Sequence, residues 1–117
     1  MSILEKIIEQ KKMEIAALDA SALRRAADSA PPPRDFLAAL KRRRFSPRPS
    51  LIAELKRASP SKRLHAPHLD LFQVADLYTQ NGASAISVLT DEKFFMGSLS
   101  TLRELRARNL KLETSHV

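Results

Sequence analysis

Cysteine is absent from this sequence, which excludes a disulfide framework and a thiolate metal site. Tryptophan is absent too, and aromatic residues make up only 5% of the chain. No apolar run approaches the roughly 20 residues that a membrane-spanning helix needs. The opening stretch MSILEKIIEQKK mixes Glu and Lys among its aliphatic residues, which is not the pattern of a secretory signal. A cytoplasmic protein with no membrane association is the expectation. Hydrophobic residues at 44% of 117 positions suffice for the core of one small domain.

The charge is unbalanced, at +7. Its sharpest cluster is Lys41-Arg42-Arg43-Arg44. Such a run can contact phosphates. It also suits the negative end of a helix dipole. No aromatic platform is interleaved with it, so the helix-end reading is preferred and no nucleic-acid partner is expected.

Up to residue 49 the sequence reads as helices joined by prolines. Ser2 and Glu5 form a capping box. Ile3, Leu4, Ile7, Ile8, Ile15 and Leu18 follow at helical spacing and predict a helix over residues 3–18. SALRRAADS is a second, weakly patterned helical piece, stopped by Pro31-Pro32-Pro33. Asp35 can cap a third helix holding Phe36, Leu37 and Leu40. Ser46-Pro47-Arg48-Pro49 reads as a rigid linker.

From residue 50 the grammar changes. Leu51–Lys56 reads as a strand and residues 57–69 as a loop. Asp70 caps a helix with Leu71, Val74, Ala75 and Tyr78 on one stripe, and Asn81-Gly82 stops it. Residues 83–90, ASAISVLT, form an apolar β-branched strand. DEKFFMG is a loop, Ser98 a cap, and Leu99, Leu102 and Leu105 the stripe of another helix. LKLETSHV is a candidate third strand. Alternating strands and helices predict a parallel sheet, with ligand groups at the C-terminal strand ends.

Within LIAELKRASPSK, residues 51–62, Glu54 and Lys56 are two positions apart and share a strand face with Ile52, while Leu51, Ala53 and Leu55 take the other. An acid and a base side by side at a strand's C-terminal end pack poorly, because burying an unpaired charge costs several kcal/mol. The placement makes sense if that end is a site. The bland alternative is a rim ion pair worth little. For Phe94 and Phe95, packing under a loop and contact with a ligand are equal readings. His65 and His68 are too few for a metal site and are read as solvated; no metal is expected.

LIAELKRASPSK and ASAISVLTDEKFFMGS, with MSILEKIIEQKKMEI and PPPRDFLAALK ahead of them, closely resemble the indole-3-glycerol phosphate synthase family. The resemblance implies an α/β fold, the N-terminal part of a (β/α)8 TIM barrel preceded by a helical extension. Residues 1–49 would be the extension. Residues 50–117 would hold the first βα units, an incomplete barrel of two to three strands. It implies a carbon–carbon lyase of tryptophan biosynthesis acting on a small phosphorylated substrate, 1-(2-carboxyphenylamino)-1-deoxyribulose 5-phosphate, without a cofactor. By the same resemblance Lys56 holds the substrate carboxylate and assists ring closure, and Glu54 organises that lysine. Ser59 contacts substrate near its phosphate end, and Phe94 and Phe95 lie beside the aromatic ring.

Departures from the family pattern are also legible. The Lys-Asp-Phe motif of the third strand, which carries the family's general acid, is missing, as are the later strands. Arg63 stands where the family's SPSKG turn has glycine, a change that matters if the position needs positive φ. A truncated or frameshifted product, inactive alone, is therefore expected. The alternatives are a fragment that complements a separately encoded barrel remainder and a basic fragment that binds RNA or another anion.

Overall fold

The computed structural model describes residues 1–41, 46–61 and 65–108. Arg42–Arg44 of the basic cluster, Lys62 and Arg63 of the loop after the first strand, and the expected third strand lie outside the described residues. The chain divides into two compact units, Met1–Pro33 and Arg34–Val117.

The first unit holds α1 (Ile3–Ala16) and α2 (Ala20–Ser29). The capping box forms: the Glu5 amide donates to Ser2 Oγ at 3.1 Å, and the Ser2 amide donates to Glu5 Oε2 at 2.6 Å. Two otherwise unpaired backbone donors are satisfied reciprocally. Asp19, not anticipated as a cap, accepts from the Ala22 amide at 3.0 Å and starts α2. Neither helix contains a buried residue. Leu4, Ile15 and Leu18 of the predicted stripe are 62%, 65% and 56% exposed. The helical period is as expected, but nothing within the unit covers the stripe.

The second unit begins with α3 (Phe36–Lys41), where the Ala38 amide donates to Asp35 Oδ1 at 2.8 Å. The expected apolar face is corrected here. Phe36 and Leu37 are exposed, and the buried residue is Ala39, whose small side chain lets this short helix lie close to its neighbours. The order then runs β1 (Ile52–Leu55), α4 (Leu71–Gln80), β2 (Ala85–Val88) and α5 (Leu99–Arg108). Both strands are shorter than the apolar runs that announced them.

β1 and β2 pair in parallel, with Ile52 opposite Ala85, Ala53 opposite Ile86, Glu54 opposite Ser87 and Leu55 opposite Val88. Ser84, itself buried, fastens the start of this ladder: its Oγ accepts from the Leu51 amide at 3.4 Å, and its own amide donates to the Leu51 carbonyl at 2.8 Å. The helices cover one sheet face. Leu55, Leu71, Ala75, Ile86 and Leu105 form the core, with Phe72, Val74, Tyr78 and Val88 packed against it. Burying one leucine of this kind contributes about 2 kcal/mol. α4 is capped as the sequence indicates, Asp70 Oδ1 accepting from the Phe72 and Gln73 amides at 3.0 and 3.2 Å. It ends in a Schellman turn at Gly82, whose φ of 91° favours glycine, with the Ala83 amide donating to the Tyr78 carbonyl at 3.0 Å. α5 differs from expectation at its start: Leu99 is 65% exposed, whereas Thr101 and Leu105 are buried. Ser98 caps it, accepting from the Thr101 amide at 3.1 Å.

These are two parallel strands with their helices on one side, an open sheet of the kind that begins a (β/α)8 barrel. Among the described residues no helix is long and apolar enough to cross a membrane. Arg34, at the start of this unit, is held below its ordinary pKa by partial burial and secondarily by the nearby Arg106 cation.

Candidate active site

Because the strands are parallel, their C-terminal ends open on the same edge, and the following loops converge there. β1 alternates as its sequence implies: Ala53 and Leu55 face the core, and Ile52 and Glu54 face away. Lys56, just past the strand, turns its ammonium back to Glu54, with Nζ 3.1 Å from Oε1. The two side chains are 32% and 46% exposed, so the charges are paired and half in solvent rather than buried. An exposed pair of this kind adds less than about 1 kcal/mol to stability.

The second loop supplies an aromatic wall. Lys56 Nζ lies 5.8 Å from the centroid of the Phe95 ring, close enough for the ring's negative face to attract it. The loop is folded back on its own backbone. The Phe94 amide donates to Asp91 Oδ2 at 2.8 Å, and the Gly97 amide donates to the Asp91 carbonyl at 2.7 Å. Met96 takes a φ of 54°, sparsely populated for a side-chain-bearing residue. Gly97 passes so close to the backbone just after β2 that a Cβ there would meet the Leu89 carbonyl oxygen at 1.9 Å. Only glycine fits this approach.

The loop after β1 is cross-linked in the same manner. The Ala66 amide donates to the Arg57 carbonyl at 2.7 Å, Arg57 Nε donates to the Leu69 carbonyl at 3.3 Å, and Ala58 bridges His65. Ser59 Oγ lies 3.3 Å from Ser61 Oγ. Ala58, Ser59, Pro60, His65, Lys93, Phe94 and Met96 line an open groove of about 570 Å³ between the two loops.

The residues singled out in the sequence thus fall into two neighbouring sets. Glu54, Lys56 and Phe95 form a charged pair against a ring. Ser59 and Phe94 line the groove beside it. Both phenylalanines are half-buried and neither belongs to the core. His65 and His68 are exposed, and among the described residues no cluster of His, Cys, Asp and Glu could hold a metal. Ser87 escaped the sequence reading, yet it donates to Glu54 Oε2 at 3.3 Å. Its only signal is the register that sets it opposite Glu54, and one strand alone does not reveal that. An ammonium held by a carboxylate and flanked by a ring can receive an anionic group attached to an aromatic system.

The family model for indole-3-glycerol phosphate synthase matches residues 4–114 of this chain. An indole-3-glycerol phosphate synthase of Roseiflexus sp. is 46% identical over 110 residues, covering 91% of this chain and 40% of its own length. The synthase of Desulforamulus reducens is 46% identical over 111 residues, covering 92% of this chain and 41% of that protein. The chloroplastic synthase of Arabidopsis thaliana is 38% identical over 118 residues, covering 94% of this chain and 29% of that one. The chain therefore spans about two fifths or less of the length of these relatives. With its parallel βα units, its strand-end ion pair and a match along nearly its whole length, this chain belongs to the indole-3-glycerol phosphate synthase family.

Proposed function

We propose that this chain supplies the first wall of an indole-3-glycerol phosphate synthase active site, in a cytoplasmic enzyme. Residues 1–49 serve as the helical extension and residues 50–117 as the first βα units. The reaction is ring closure of 1-(2-carboxyphenylamino)-1-deoxyribulose 5-phosphate. A carbon–carbon bond forms between the ring carbon that bears the carboxylate and the ketone carbon. Carbon dioxide leaves the first and the oxygen of the second departs as water.

The observation that carries this reading is the Lys56 ammonium, held 3.1 Å from Glu54 and 5.8 Å from the Phe95 ring at the C-terminal edge of a parallel sheet. Lys56 fixes the substrate carboxylate and so brings the aromatic ring against the carbonyl carbon, a gain in proximity. Glu54 sets the direction of that lysine. Phe95 and Phe94 support the anthranilate ring, and Ser59 contacts the substrate in the groove. Protonation of the departing oxygen and binding of the phosphate need further placed donors. On this reading those donors come from the remaining part of the barrel, the partner of this chain.

Co-expression with βα units three to eight of the Roseiflexus relative, in a tryptophan auxotroph lacking the synthase, tests this. Growth without tryptophan is expected for the pair, not for either part alone, and not with Lys56→Ala. The reading fails if the two parts associate in solution and form no indole-3-glycerol phosphate, or if Lys56→Ala supports growth as well as the native chain.

A further inference from the structure

The geometry points to Ser87 as a positioning residue that fixes the Glu54 carboxylate and, through it, the Lys56 ammonium. The catalytic meaning of this role rests on the function proposed above; the role itself rests on the placement of three side chains. Glu54 and Ser87 are register partners in the parallel ladder, so their side chains leave the same sheet face side by side. The two oxygens of Glu54 are divided: Oε1 lies 3.1 Å from Lys56 Nζ, and Oε2 accepts the Ser87 hydroxyl at 3.3 Å.

A carboxylate held only by a flexible lysine is free to rotate about its terminal torsions and to present either oxygen. A second donor on the neighbouring strand, rigid in its backbone, removes that freedom. The Glu54 backbone is fastened as well, since Tyr78 Oη donates to its carbonyl at 3.3 Å. The carboxylate is thus fixed at its main chain by α4 and at its tip by β2. What remains for Lys56 is one oxygen in one place, with the Phe95 ring beyond it. Ser87 acts through Glu54, the carboxylate its hydroxyl contacts. The hydroxyl contact is long for an O–H···O bond, so its effect is modest.

The test uses the chain itself, labelled with ¹⁵N, and follows the hydrogen exchange of the Lys56 ammonium with water. Lys56→Arg identifies the signal by deleting it. Ser87→Thr and Ser87→Val are matched in shape and differ in the hydroxyl. Exchange about threefold faster in Ser87→Val and Ser87→Ala is expected, the size that an exposed charged contact implies. Ser87→Thr retains the native rate. Thermal unfolding midpoints should coincide in Ser87→Thr and Ser87→Val, so that loss of fold does not mimic the effect. Equal exchange in the Thr and Val variants overturns the assignment, whatever Ser87→Ala does.

No catalysis is needed for that readout. In the co-expressed pair, Ser87→Val should also raise KM for the carboxylate substrate more than it lowers kcat, with Ser87→Thr restoring both. Failure of the native pair to react would refute the proposed function and leave the exchange result to decide the role of Ser87.

Discussion

The two faces of the β1–β2 sheet share one backbone and differ in what meets them. On one face Leu55 and Ile86 are 1% and 5% exposed under α4 and α5. On the other, Ala85 is still buried, but Ile52 opposite it is 49% exposed, and the Ser87 hydroxyl donates to Glu54 in the open. The covered face is where the sequence invested in aliphatic volume, and it supplies the stability of the unit. The open face carries the charged pair, which adds little to stability and much to chemistry. In a closed barrel of about eight strands the face opposite the helices becomes the interior. The contrast teaches that stability and function are separated across a single layer, one residue apart along the strand.

Substitutions on each face can break or sharpen this contrast. The largest effect is expected from Leu55→Ala on the covered face. Deleting a core leucine costs about 2–5 kcal/mol through lost burial and the cavity left behind, and the urea midpoint should fall accordingly. A midpoint close to that of the native chain would mean that the helix-covered face is not the core of this unit. Gly97→Ala comes next. Its Cβ would collide with the Leu89 carbonyl oxygen, and backbone there cannot move cheaply. A loss of about 1–3 kcal/mol is expected, together with displacement of Phe95 from Lys56, read as altered chemical shifts of both side chains. Unchanged shifts would show that the loop does not depend on this close approach. The smallest effect on stability belongs to Lys56→Ala on the open face, under about 1 kcal/mol by denaturant titration. If Lys56→Ala proved as costly as Leu55→Ala, the separation of the two faces would fail.

Much of the local structure was legible in the sequence because its causes are local. Ser2, Asp35, Asp70 and Ser98 each cap the helix they announce, since a cap is a bond between a side chain and an amide two or three residues on. The alternation of Ile52, Ala53, Glu54 and Leu55 assigned their faces, since a strand's period is two. The pairing of Glu54 with Lys56 followed from the same period. Less legible were the sides of helices that meet no partner in the described structure. Phe36, Leu37 and Leu99 are apolar at the right spacing and are exposed, while Ala39 and Thr101 are buried. Apolar spacing tells which side of a helix prefers cover, not whether cover is there. The stripe of α1 makes the same point within residues 1–33, where no helical residue is buried.

The sequence by itself determined the order of the described elements, the faces of β1, most of the helix caps and, through its motifs, the family. Each of these is fixed by neighbours a few positions away, or by a pattern that does not depend on packing. Only the tertiary structure decided that Ser87 stands beside Glu54 and that Phe95 lies near the Lys56 ammonium. It also decided that Gly97 lies against the Leu89 backbone just after β2. The first two contacts span tens of residues and exist because two strands pair in one register and no other; the third folds a loop back on the residue that begins it.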